Sequence, residues 1–87
     1  MPRISYFYGI AIWMYWDERH HSRPHFHARY GEHLASLDFA GEIIVGSLPT
    51  QALRLVRDWT HLHHDELLAN WQRAINKESL APIAPLL

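Results

Sequence analysis

The stretch PHFHARYGE, residues 24–32, decides how this chain folds. After its proline, which ends a polar segment, polar and apolar side chains alternate, and that period is typical of a β-strand with one covered face. The polar side of the strand is predicted to carry His25, His27 and Arg29. The opposite side is predicted to face the core, and its side chains are those of Phe26, Ala28 and Tyr30.

The flanking segments extend this strand into an antiparallel meander. Residues 4–16 are dense in Ile, Tyr, Phe and Trp and lack a capping pattern, so they predict one long strand that is apolar on both faces. Gly31-Glu32 predicts a tight turn, and residues 34–39 then alternate again as another strand. After a turn at Ala40-Gly41, residues 43–45 predict a short last strand.

The second half of the chain has helical periodicity. Ser47 and Pro49 are expected to start a helix by capping and by a fixed φ. Apolar residues then recur at helical spacing: Leu53, Val56, Trp59 and Leu62, followed by Leu67, Leu68, Trp71 and Ile75. An unbroken helix of this length would be about 40 Å long, whereas a compact chain of this size has a radius of gyration of about 12 Å. A break or bend is therefore predicted within residues 60–65, with Asp65 capping a second helix.

These patterns predict one α+β domain over residues 1–87: an antiparallel meander of three to four strands, followed by one long bent helix or two helices. The meander should occupy about residues 4–46 and the helical part about residues 48–77. The tail at residues 80–87 is apolar but contains two prolines, so it should be non-helical and either pack back on the domain or dock on a partner. Trp59 and Trp71 are expected in the core rather than in a base-stacking surface, because they follow the helical period.

Composition narrows the class of function. A chain of 87 residues buries only about 60 to 65% of its unfolded surface, so a homo-oligomer or a complex is expected. The absence of Cys excludes disulfides, thiolate metal sites and a cysteine nucleophile. The formal charge of −1 gives no global attraction to nucleic acid or anionic lipid, so any nucleic-acid contact would be local. The first residues lack an export signal and no long apolar run follows, which favours a cytoplasmic protein without a membrane span.

The concentrated chemistry of the sequence is its histidine. His25 and His27 would project from the same side of a strand with Cα atoms about 6.5 to 7 Å apart, which lets two imidazoles approach one ion. His21, in the preceding loop, would be a third ligand for a divalent metal such as zinc with one open position. The bland alternative is that these histidines are hydrogen-bonded residues of a polar strand face.

A third interpretation is metal-free acid–base chemistry. One imidazole would take a proton from a hydroxyl, another would protonate a leaving group, and Arg29 would stabilise developing phosphorane charge, as in an RNase-like site. Glu32 would assist. The alternative role for Arg29 is a surface ion pair with Glu32 or Asp38.

Five segments resemble a small bacterial family, domain of unknown function 4160. The segments are FYGI at residues 7–10, PHFHARYGE at 24–32, LP at 48–49, ALRLVRDW at 52–59 and ELLANW at 66–71. The family pattern also has a His at the positions of His21 and His63, so the resemblance adds His63 to the metal-ligand set of His21, His25 and His27. Where the family has a second proline before the His-Phe-His core, this chain has Arg23, which loosens the expected loop geometry.

The resemblance also implies a biological setting. The family often lies beside a second small family, domain of unknown function 2442, in a two-gene arrangement that resembles a toxin–antitoxin pair. The chain would then be the toxin-like member, neutralised by a small protein partner from the neighbouring gene. The alternative is a non-catalytic metal-binding or regulatory interaction domain, which would be the antitoxin-like member. Whether the chain is an enzyme stays open at this point.

Overall fold

The computed structural model describes residues 3–15 and 23–87. Within them the chain forms an antiparallel sheet followed by two helices. The strands, which lie side by side in chain order, are β1 (Arg3–Phe7), β2 (Ile10–Trp13), β3 (His25–Tyr30), β4 (His33–Asp38) and β5 (Ile43–Gly46). The helices are α1 (Thr50–Leu62) and α2 (His64–Ile75). The predicted α+β meander is confirmed, but the sheet has five strands rather than three to four.

The extra strand arises because residues 4–16 do not form one strand. Tyr8 and Gly9 turn the chain between β1 and β2, with φ angles of +50° and +78°. Two positive φ angles are what a tight hairpin turn of this hand requires, and glycine adopts them without a steric penalty. The prediction of one long strand was wrong because two successive apolar strands look, in sequence, like a single strand covered on both faces. Trp16, His21 and the other residues of the predicted loop up to Ser22 lie outside the described residues.

The core lies between the sheet and the helices. Its sheet side is formed by Ile4, Phe7, Ile10, Ile12, Met14, Phe26, Ala28, Ala35, Leu37 and Phe39. Trp59 of α1 and Trp71 of α2 are buried in it, as the helical period predicted. The Trp59 ring lies 5.5 Å from Phe7 and 5.7 Å from Phe26, between centroids, so one side chain joins two strands to α1. Phe26 and Ala28 face this core as expected, whereas Tyr30, at the end of β3, is 40% exposed.

The predicted helix break is confirmed at His63, which separates α1 from α2. Asp65 does not cap α2 as expected; it lies in the first turn, where its charge still interacts favourably with the helix dipole. Ser47 does not cap α1 either, because the N-cap position is Pro49 and no described side chain caps it. Three residues of the predicted apolar period are exposed, Leu62, Leu68 and Ile75, and two of them end their helices.

The tail packs back on the domain, the first of the two alternatives. Ile83 is buried, and its N–H donates to the carbonyl of Ile4 at 2.7 Å. The indole N–H of Trp59 donates to the carbonyl of Ala84 at 2.9 Å. Asn70 donates to the carbonyl of Ala81 at 2.8 Å and accepts its N–H at 2.9 Å. The tail thus ties β1 to both helices.

Candidate functional site

The helices cover one side of the sheet. The opposite side, which the helices do not cover, is here called the outer face. One cross-strand row runs over this face through Trp13, His27, Ser36 and Val45. All four side chains are half-buried or exposed. The polar side of β3 therefore lies on the outer face, and the core side lies under the helices, as the alternation in PHFHARYGE predicted.

His25 and His27 meet on this face. Their ring centroids are 5.2 Å apart and the rings are nearly perpendicular, at 81°. Nδ1 of His25 donates to the carbonyl of Arg23 at 2.9 Å. Since a carbonyl only accepts, this nitrogen carries the hydrogen, and the lone pair of the neutral ring is on Nε2. The structure brings together the two histidines that the sequence paired.

Ser36 holds the second ring. Its hydroxyl lies 3.1 Å from Nδ1 of His27, directly across from it on β4. The hydroxyl can donate or accept, so both tautomers of His27 are compatible with this contact. In both rings, therefore, one contact within the described residues orients the imidazole through Nδ1.

Aromatic rings pack around the pair. Trp13 stacks on His27 with centroids 5.5 Å apart and an interplanar angle of 18°, and Tyr15 meets the same ring edge-on at 4.8 Å. His25 contacts Trp71, a core residue, at 5.4 Å. These contacts limit the orientations that the two imidazoles can adopt.

The described residues of the outer face line three adjoining hollows, with volumes of about 250, 220 and 300 Å³. The first is lined by Arg23, His25, Ser36, Ile44 and Val45. The second contains His27, Trp13 and Tyr15, and the third adds Arg3, Ala11 and Arg29. Because neighbouring hollows share lining residues, they form one groove across the sheet.

Arg29 lies on the same face, two residues after His27 on β3, and is exposed. Its Nε donates to the carbonyl of Gly31 at 3.1 Å. Within residues 3–15 and 23–87 it forms no ion pair with Glu32 or Asp38, and Asp38 lies instead 3.9 Å from Arg23. Glu32 is exposed in the turn between β3 and β4, beyond the end of the strand that carries the histidines.

His63 lies elsewhere, at the junction of α1 and α2. Its Nδ1 contacts the carboxylate of Glu66 at 2.5 Å, and its ring lies 5.7 Å from that of Trp59. Its Nε2 is buried and has no hydrogen-bond partner in the described part of the chain. That part also contains no group of three or more His, Asp or Glu side chains that could hold a metal ion, so His63 does not join His25 and His27 there. A ligand set that includes His21 stays a prediction, because His21 lies outside the described residues.

The sequence did not assign Trp13, Tyr15 or Ser36 to the site. Trp13 and Tyr15 lie within the stretch predicted as one strand, residues 4–16, and Ser36 lies within the strand predicted at residues 34–39. Only the strand register shows that Trp13 and Ser36 lie on the side of the sheet that carries His27. The signal was present in the sequence, but pairing between strands was needed to interpret it.

These features define a class of small α+β domain in which two helices cover one side of an antiparallel sheet and the other side carries a histidine–aromatic surface. The chain belongs to the family described as domain of unknown function (DUF4160), whose model matches residues 9–72, well over half of the 87 residues. The match begins at the turn before β2 and ends within α2, so it contains every outer-face residue named above except Arg3. No curated protein and no solved structure matches the chain. In the described residues, neither helix is long and apolar enough to cross a membrane.

Proposed function

We propose that this chain is the toxin-like component of a bacterial two-gene toxin–antitoxin-type module. It would act in the cytoplasm through the outer face and be neutralised by a small protein from the neighbouring gene. The observation that carries the proposal is the pair of imidazoles, 5.2 Å apart, with His27 on the outer face and His25 at the start of β3, where it also contacts Trp71 of α2. The family resemblance supplies the two-gene setting.

The pair suits proton transfer because imidazole exchanges protons near neutral pH. In the neutral form of His25 the hydrogen is on Nδ1, so the basic nitrogen of the ring is Nε2. His27, in its protonated form, is the complementary acid. Arg29 on the same strand places a permanent positive charge within the same groove.

The proposal is tested by measuring the growth of bacteria that express the chain, with and without the neighbouring gene. The wild-type chain is expected to inhibit growth alone and not with its partner. His25→Ala and His27→Ala are expected to relieve the inhibition. His33→Ala is the matched control, because His33 is an exposed strand histidine on the other side of the sheet, opposite Tyr30.

Circular dichroism melts of all three variants show whether each one folds. Relief of inhibition by a variant that melts like wild type supports the site. Full growth of cells that express the wild-type chain alone would contradict the toxin role. Equal relief by His33→Ala would contradict the assignment to the histidine pair.

The second candidate is a non-catalytic metal-binding or regulatory domain, the antitoxin-like alternative. Two imidazoles bound to one tetrahedral zinc at about 2.0–2.1 Å place their ring centres roughly 5 Å apart, close to the spacing of this pair. The anchored Nδ1 atoms match the outer contacts that metal-bound histidines make. Metal analysis of protein purified without a histidine tag separates the candidates. One zinc per chain, lost in the His25→Ala/His27→Ala variant without loss of partner binding, favours this alternative.

A further inference from the structure

We propose that the outer face binds single-stranded RNA, with aromatic side chains stacking on bases and arginines contacting phosphates. The inference rests on the proposed function for its biological meaning, since RNA would be the target of the toxin, but the binding itself is measured separately.

The first support is the aromatic surface beside the histidine pair. Trp13 lies on β2, next to the central strand, and Tyr15, two residues after the end of that strand, is 37% exposed. Tyr6 of β1, which pairs with Ala11 of β2, lies on the same face and is 53% exposed. Aromatic residues on an uncovered sheet are a common platform for unpaired bases, because each base offers a π-face regardless of its identity.

The second support is charge. Arg3, Arg23 and Arg29 line the groove, although the chain as a whole has a formal charge of −1. Within the described residues, Asp38 lies 3.9 Å from Arg23; its side chain is 18% exposed and accepts the backbone N–H groups of Ala40 and Glu42. Positive charge is therefore concentrated locally on the outer face, which complements the phosphate backbone of a nucleic acid.

Arginine and aromatic side chains also alternate here. The Arg3 guanidinium lies 5.0 Å from the centre of the Tyr6 ring, and Trp13, Tyr15 and Arg29 border one hollow of about 300 Å³. A single strand that crosses the sheet would meet stacking and phosphate-binding groups in turn. A groove for a purely apolar partner would not need these charges.

The histidine pair favours RNA over DNA. RNA carries an internal nucleophile, the 2′-hydroxyl, which DNA lacks. One neutral imidazole takes the 2′-hydroxyl proton while the 2′-oxygen forms a bond to phosphorus. The bond from phosphorus to the 5′-oxygen breaks, and that oxygen takes a proton from the second, protonated imidazole. The products are a 2′,3′-cyclic phosphate and a 5′-hydroxyl, and no further reactant is needed.

Fluorescence anisotropy tests the inference with the full chain and a labelled RNA of about ten nucleotides, within the site size of single-strand-binding modules. Single-stranded DNA and duplex RNA of the same sequence are the comparison probes. The single-stranded RNA is expected to bind most tightly, with an affinity that falls as salt rises. Tyr15→Leu keeps apolar bulk but removes the ring, so it is expected to weaken binding about 5- to 150-fold. Arg29→Gln is expected to lower the slope of log affinity against log salt by about 0.7.

Matched controls come from the helix side. Tyr8→Leu changes a tyrosine that is 59% exposed in the β1–β2 turn, beside Pro49, and Arg54→Gln changes an exposed arginine of α1. Neither is expected to change the affinity for RNA. Equal losses in Tyr15→Leu and Tyr8→Leu would overturn the inference, and so would equal binding of DNA and RNA. A chain that inhibits growth without binding RNA overturns only this inference, whereas one that binds RNA without inhibiting growth overturns only the toxin role.

Discussion

Asn70 holds the C-terminal tail on the domain, and its substitution by Ala removes the hydrogen bonds that do so. The side chain is fully buried and makes three hydrogen bonds: two with the backbone of Ala81 and one from the Arg73 guanidinium at 2.9 Å. At about 1 kcal/mol per intramolecular hydrogen bond, Asn70→Ala is expected to lower the free energy of unfolding by about 3 kcal/mol. For a domain of this size that corresponds to a fall in Tm of about 12 to 24 °C.

Thermal and urea unfolding, followed by circular dichroism, measure this change. Gln72→Ala is the matched control, because Gln72 is exposed on the same helix, and it is expected to stay within about 0.5 kcal/mol of wild type. In a chain that ends before residue 80, Asn70 keeps only the bond from Arg73, so Asn70→Ala should then cost about 1 kcal/mol.

An equal cost of Asn70→Ala in the full and shortened chains would refute the role of the tail contacts. If the shortened chain does not fold, Ala81→Pro serves instead, since it removes the N–H that donates to Asn70. That variant is expected to lose about 1 kcal/mol, and no loss would refute the same reasoning.

Two further sets of substitutions test the close approach at β5 and the contact between Ser36 and His27. Gly46→Ala is expected to lower the free energy of unfolding by more than about 2 kcal/mol, because φ is +85° and the new Cβ would lie 2.1 Å from the Leu34 carbonyl oxygen. Gly31→Ala, with φ of +58° and no heavy atom beyond its chain neighbours within 4 Å of the new Cβ, should cost about 1 kcal/mol. Equal losses for the two variants in urea titrations would contradict the close approach at β5. Ser36→Ala is expected to reduce growth inhibition while changing stability by no more than about 1 kcal/mol, because it removes the contact to Nδ1 of His27. Ser36→Thr keeps the hydroxyl and should therefore inhibit growth as wild type does in the same assay. Equal inhibition by Ser36→Ala and Ser36→Thr would exclude this positioning role.

Much of the architecture was accessible from local patterns. Alternation in β3 separated the face of His25 and His27 from the core face of Phe26, because side chains on a strand alternate strictly. The helix break at His63 followed from the length of chain that a compact domain can contain. These predictions depend on periodicity and size, which a sequence expresses directly.

The hairpin at Tyr8-Gly9 was missed for a physical reason. Gly9 was visible, but a turn is normally recognised by polar residues around it, and here Tyr8 adopts the positive φ next to the glycine. With apolar residues on both sides, residues 4–16 matched a single covered strand equally well. The helix caps were misassigned for a related reason: Ser47 and Asp65 are good capping residues, but the chain begins its helices at Thr50 and His64.

The candidate site was accessible only in part. Spacing within β3 predicted that His25 and His27 share a face, but contacts from other strands depend on register. Ser36 and Trp13 reach His27 because β4 and β2 pair with β3 at that residue. A shift of one position would place both on the opposite side, so no single-segment pattern could identify them.

The joint action of His25 and His27 is tested most directly by a double-mutant cycle on growth inhibition. Inhibition is measured for wild type, His25→Ala, His27→Ala and the double variant at matched protein levels. Residues that act as a unit are strongly non-additive, so the double variant is expected to lose no more inhibition than either single variant. Additive losses, with each histidine contributing independently, would contradict a shared site on the outer face.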